Sequence, residues 1–120
     1  MIRISFPFVL ALLSCGLALA QPVPEGPRAQ AWCGVALSMM ADDVGPEANA
    51  EQKQLADIFR DGGTALIEAA TVAYGDSGWS PERTDELLAS LRIEVAGSLA
   101  GDTRPALSFE DCATLAGFPQ

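Results

Sequence analysis

The chain has 120 residues, seven basic against sixteen acidic side chains, a net charge of −9, and no histidine. That length allows one domain, and the acidity excludes nucleic acid and anionic membrane surfaces, because nothing here could neutralise a run of phosphates. The missing histidine removes the commonest general base, the commonest metal ligand and the usual switch near neutral pH. Alanine is abundant and strand-favouring residues are few, which suits helices.

Met1-Ile2-Arg3 is a short positive start, residues 4–13 are apolar apart from Ser5, and Ala18-Leu19-Ala20 is a small-x-small site followed by Gln21-Pro22. This pattern is a secretory signal over residues 1–20, with cleavage expected between Ala20 and Gln21. Leu12-Leu13-Ser14-Cys15-Gly16 also resembles the lipobox of bacterial lipoproteins, although Leu13 stands where that motif usually has a small residue. The resemblance makes lipidation at Cys15 the alternative fate of the same segment. Cleavage after Ala20 removes Arg3 and Cys15, leaving a net charge of −10 and two cysteines. Cys33 and Cys112 are then an even pair in an oxidising compartment and are expected to form one disulfide. Closing a loop of roughly 80 residues is worth about 4.5 kcal/mol. No C-x-x-C spacing exists, so the pair reads as a staple and not as a redox centre.

Residues 21–28 contain three prolines and form an extended lead, and one helical domain is expected over residues 29–117. The first helix is expected over residues 27–43. Cys33, Leu37, Met40 and Val44 recur on one face, and Gly45-Pro46 ends it. Met39 and Met40 hint at an adaptable binding face but are more often core filler. The second helix is expected over residues 46–74, with Leu55, Ile58, Phe59, Gly62, Leu66, Ala69 and Ala73 as its stripe. Gly62 falls on that stripe, so one continuous helix is favoured over a break at Gly62-Gly63. Ser80-Pro81-Glu82 opens the third helix, which runs to residue 100 on Leu87, Leu88, Leu91, Val95 and Leu99. Ile93 lies off that stripe. Leu107 to Cys112 opens a short last helix reaching residue 116, and residues 117–120 are tail.

The expected fold is all-α: a small up-down bundle of three long helices plus a short C-terminal one, stapled by the disulfide. Its expected core includes Trp32, Leu37, Met40, Leu55, Phe59 and Leu66, with Leu88, Leu91, Val95 and Leu115 from the later helices.

Chemistry-bearing patterns are scarce. Gly75-Asp76-Ser77-Gly78 matches four residues of the nucleophile motif of chymotrypsin-like proteases, but Trp79 follows and no histidine exists to complete a triad. It reads as a turn. Asp42, Asp43, Glu47, Asn49 and Glu51 cluster around the first turn without the calcium-loop pattern and read as a solvated loop. No cofactor and no metal is expected. Tyr74 and Trp79 bracket a turn, where capping the end of the core is the favoured reading; as an exposed pair they would, with Ile93, be the candidate contacts for an unknown protein partner.

With Trp32-Cys33, Cys112 and the helical patterning, the mature chain resembles small uncharacterised secreted helical proteins of proteobacteria that carry one cysteine near each end. That resemblance implies export to the periplasm or beyond and no activity. Trp32-Cys33 is also similar to the Trp-Cys of the acid-stress periplasmic chaperones; the wide cysteine spacing and the single lysine depart from them. The expected function is a non-catalytic periplasmic interaction or accessory protein. The alternatives are an acid-stress chaperone, discharged as its carboxylates protonate below about pH 4, or a lipid-anchored form through Cys15.

Overall fold

A computed structural model describes residues 26–119. Four helices follow one another: α1 Pro27–Asp42, α2 Ala50–Asp76, α3 Pro81–Leu99 and α4 Phe109–Ala116. No strand occurs among the described residues.

Local chemistry fixes the helix ends. Proline opens α1, where its missing N–H costs nothing, so Pro27 and Arg28 belong to the helix and not to the extended lead. The second helix starts at Ala50, four residues later than the prolines and glycines suggest. Ala48 N–H still closes a turn onto the Gly45 carbonyl, and Asn49 is the residue that can cap. Its side chain accepts from Gln52 N–H at 2.8 Å while the Gln52 side chain accepts from Asn49 N–H at 3.0 Å. That reciprocal box satisfies two otherwise orphaned donors. Ser80 caps α3, and Ser108 with Asp111 forms a second box at α4.

The last helix closes on Gly117, in the left-handed region at φ 77°. Phe118 N–H then reaches back to the Ala113 carbonyl and Gly117 N–H to that of Thr114. This paired closure turns the chain so that Phe118 packs on the protein. Phe118 is therefore part of the fold rather than of a tail.

Helix α2 is continuous through Gly62-Gly63, as its phase suggested. The two glycines serve different neighbours. A Cβ on Gly63 would lie 2.5 Å from Ser38 Oγ and 2.7 Å from the Gly34 carbonyl oxygen, so Gly63 lets α1 and α2 touch backbone to backbone. A Cβ on Gly62 would lie 2.7 Å from the Phe118 ring. Tertiary contact at both positions outweighs the roughly 1 kcal/mol that each glycine costs in helix propensity.

Helix α1 is central and packs on all three others. It is buried from Ala31 to Leu37, consistent with contacts on several sides. Arg60 of α2 reaches Asp42, and Trp32 of α1 reaches Glu94 of α3. The sulfurs of Cys33 and Cys112 lie at disulfide distance, 2.11 Å, with Cα atoms 5.1 Å apart, which fixes α4 to the middle of α1.

The core differs from expectation in one respect. Trp32, Leu37, Leu66, Leu91 and Val95 are buried, and Met40, Phe59, Leu88 and Leu115 are half-buried. Leu55 is half exposed. The buried face of α2 is Ala56, Gly63, Leu66, Ala70 and Tyr74, rotated from the stripe of large residues. Small side chains face α1 because the close helix contact requires them, which pushes Leu55 and Ile58 to the side.

Candidate functional site

The sequence-derived contacts fall in two places, Tyr74 with Trp79 at the end of the helical core and Ile93 on the surface of α3. Tyr74 is buried, 9% exposed, with its ring centroid 4.2 Å from that of Trp79. The Arg83 guanidinium sits 3.7 Å from the Trp79 ring centroid, a favourable cation–π position. Trp79 is thus half-buried between its own neighbours, and the pair closes the end of the helical core. Tyr74 is a core residue, as the capping reading expects, and the alternative of an exposed contact at Tyr74 is corrected, because its ring is buried against Trp79 at the end of α2. Ile93 stands 77% exposed on α3, away from Trp79's cluster. Ala20, Gln21 and Cys15 lie outside the described residues.

The principal surface feature is the part of α2 that the core leaves out. Leu55, Ile58 and Phe59 fall on one side of its N-terminal half. Helix α4 should cover them, but it has only eight residues. Its first residue, Phe109, meets Phe59 with ring centroids 5.6 Å apart, and Phe118 stacks on Phe59 at 5.8 Å and 11°. Three phenylalanines therefore meet at the α2–α4 seam, and Gly62 leaves the room for Phe118. Beyond that seam the apolar surface continues uncovered: Leu55 is 50%, Ile58 45% and Phe109 49% exposed.

These side chains frame adjoining hollows. One of about 480 Å³ lies between Leu55, Ile58, Phe59, Phe109 and Phe118. A second of about 420 Å³ shares Leu55 and Phe59 and extends to Met40 and Val44. A third of about 220 Å³ shares Met40 and Phe109 and runs to Leu99 and Leu107. A fourth of about 500 Å³ shares Leu55 and Ile58 and opens toward the start of α2. The shared walls make them one valley, with Met40 at a junction.

The charged side chains lining the valley are Asp43 and Glu47 from the α1–α2 connection, Glu51 from the first turn of α2, and Glu110 from that of α4. No arginine or lysine lines these four hollows, whereas a fifth of about 320 Å³, which shares Val44, Gly45 and Ala56 with the second, is lined by Lys53, Asp57 and Arg60. The valley holds no nucleophile with a base beside it. Among the described residues, no group of three or more metal-ligating side chains comes together, and no helix is long and apolar enough to cross a membrane. What the arrangement can do is receive apolar side chains in a recess rimmed by carboxylates.

Sequence reasoning passed over this surface because it counted Leu55 and Phe59 as core. The signal was present nonetheless: a long helix carries large apolar residues opposite a partner helix too short to cover them. Glu94 was also missed. It accepts the buried Trp32 indole N–H at 2.7 Å and pairs with Arg28 at 3.6 Å, a contact between α1 and α3 that no motif announces. Comparison of the chain with protein families, curated proteins and solved structures returns no match.

Proposed function

We infer that this is an exported, non-catalytic interaction or accessory protein whose docking surface is the apolar valley between α2 and α4. One observation carries the reading: Leu55, Ile58 and Phe109, each about half exposed, adjoin one another around continuous recesses. Apolar area gathered in this way marks a contact surface far more often than singly scattered residues do. Export is supported by the signal pattern of residues 1–20 and by the Cys33–Cys112 pair, which suits an oxidising compartment. An up-down-up course of the long helices is supported by the contacts of Gly34 with Gly63, Asp42 with Arg60, and Trp32 with Glu94. The resemblance to small secreted helical proteins of proteobacteria agrees with this picture and adds no activity.

The test is affinity capture from the extracytoplasmic fraction of the native host, without reductant, using the full chain and its Leu55→Ser/Phe109→Ser variant. A stoichiometric partner held by the parent and lost by the variant is the expected result. Equal capture by both, or capture by neither, overturns the assignment of the valley.

A further inference from the structure

We propose that the occupant of the valley is an amphipathic helix from another protein, with an apolar stripe flanked by lysine or arginine. This rests on the valley being a docking surface and adds the chemistry of what docks. Two features select the occupant. The first is shape. The hollows adjoin through shared walls at Leu55, Phe59, Phe109 and Met40, so an occupant that fills them presents several apolar groups side by side. A cluster of linked apolar recesses suits the side chains that one helix projects from a single face at i, i+3, i+4 and i+7.

The second feature is charge. Asp43, Glu47, Glu51 and Glu110 are the charged residues of the four hollows, while Lys53 and Arg60 line only the fifth, where carboxylates already hold Arg60. Arg28 lies on Glu94, Arg60 on Asp42 and Asp57, and Arg83 over Trp79. A helix with basic flanks would set cations against this rim as its stripe enters the recesses, which favours encounter and register. A second copy of the chain is the poorer occupant, because it brings the same acidic rim and a net charge of −9 against its own kind.

The test uses three synthetic helical peptides of about 18 residues, five turns, sharing one leucine stripe and carrying lysine, glutamine or glutamate on the flanks. Binding to the full oxidised chain is read by fluorescence anisotropy. The lysine peptide is expected to bind at least about tenfold more tightly than the glutamine peptide, to weaken as salt is raised, and to lose affinity in Leu55→Ser/Phe109→Ser. The glutamate peptide should not bind. A rim variant, Glu47→Gln/Glu51→Gln/Glu110→Gln, should lower lysine-peptide affinity about tenfold and leave the glutamine peptide unchanged. A charge-matched variant remote from the valley, Glu68→Gln/Asp85→Asn/Glu86→Gln, should change it less than about twofold. Far-UV circular dichroism confirms that every variant keeps its helices.

Equal affinity for the lysine and glutamine peptides overturns the basic partner while leaving the valley a docking surface. So does an equal loss in the rim and remote variants, which would trace the attraction to net charge. If no peptide binds, or the serine variant binds as the parent does, the helix proposal fails, and the capture experiment alone then decides whether the valley docks anything. A dimer in sedimentation that the serine variant dissolves replaces the proposed partner with a second copy.

Discussion

Gly34 and Gly63 meet without side chains between them: a Cβ on Gly34 would stand 2.8 Å from the Gly63 carbonyl oxygen, and one on Gly63 would stand 2.7 Å from that of Gly34. Backbone cannot yield as a flexible side chain can. Gly63→Ala is therefore expected to destabilise by about 1–3 kcal/mol, even though alanine is the better helix former. Gly75, in the same helix, provides the contrast, because a Cβ there would meet nothing within 4 Å. Gly75→Ala should stabilise by about 0.5 kcal/mol. Urea unfolding of the two variants checks both signs.

Glu94 supplies the acceptor for the Trp32 indole N–H. Glu94→Ala leaves that buried donor unpaired and should cost about 1–2 kcal/mol. Glu94→Gln keeps an acceptor and loses only the exposed pair with Arg28, so its cost should stay below about 1 kcal/mol. Equal costs would show that the hydrogen bond contributes nothing beyond the ion pair. Thermal unfolding followed by tryptophan emission distinguishes the cases.

Breaking the Cys33–Cys112 bond releases α4, an eight-residue helix too short to persist by itself. The cross-link spans 79 residues of sequence, and its loss through Cys33→Ser/Cys112→Ser should lower stability by about 4.5 kcal/mol in the loop-entropy account. Hydrogen exchange should show amides of residues 109–116 losing protection before those of α2. Uniform loss across all helices would mean that α4 is not the separable part.

The valley residues should behave unlike core residues of the same type. Leu55→Ser, at a half-exposed position, should change stability by no more than about 1 kcal/mol. Leu66→Ala, buried against α1, should cost about 2–4 kcal/mol. A large cost at Leu55 would return it to the core and remove the main reason for reading the surface as functional.

Much of the architecture was legible from local signals. Ser80-Pro81 and Ser108 announce two helix starts because capping chemistry is local, and the phase of Gly62 predicted continuity correctly. The start of α2 was misread because Pro46 marks a turn as readily as a first helical residue, and only Asn49 with Gln52 decides between them. Misassignment of Leu55 has a different cause. Periodicity reports which residues share a face, whereas burial depends on what lies opposite. Here Ala56, Gly63 and Ala70 brought α1 so close that the larger residues beside them were left at the margin. Of the candidate contacts, Tyr74 and Trp79 were legible as a cap on the core and Ile93 as an off-stripe residue, but the sequence could not say that Arg83 covers the Trp79 ring. Phe118 was unreadable for a related reason: its place depends on the left-handed turn at Gly117 as well as on the space above Gly62.

The bond between Cys33 and Cys112 also bears on the connection between α3 and α4. Residues 100–108 join the two helices along the chain, yet α4 is independently fastened to α1. Continuity of the polypeptide through that connection is therefore redundant for holding the molecule together. A chain cut there stays a single covalent body as long as the sulfurs are joined, with Phe109 and Phe118 still tethered beside Phe59. It comes apart into two pieces only when the cut is followed by reduction.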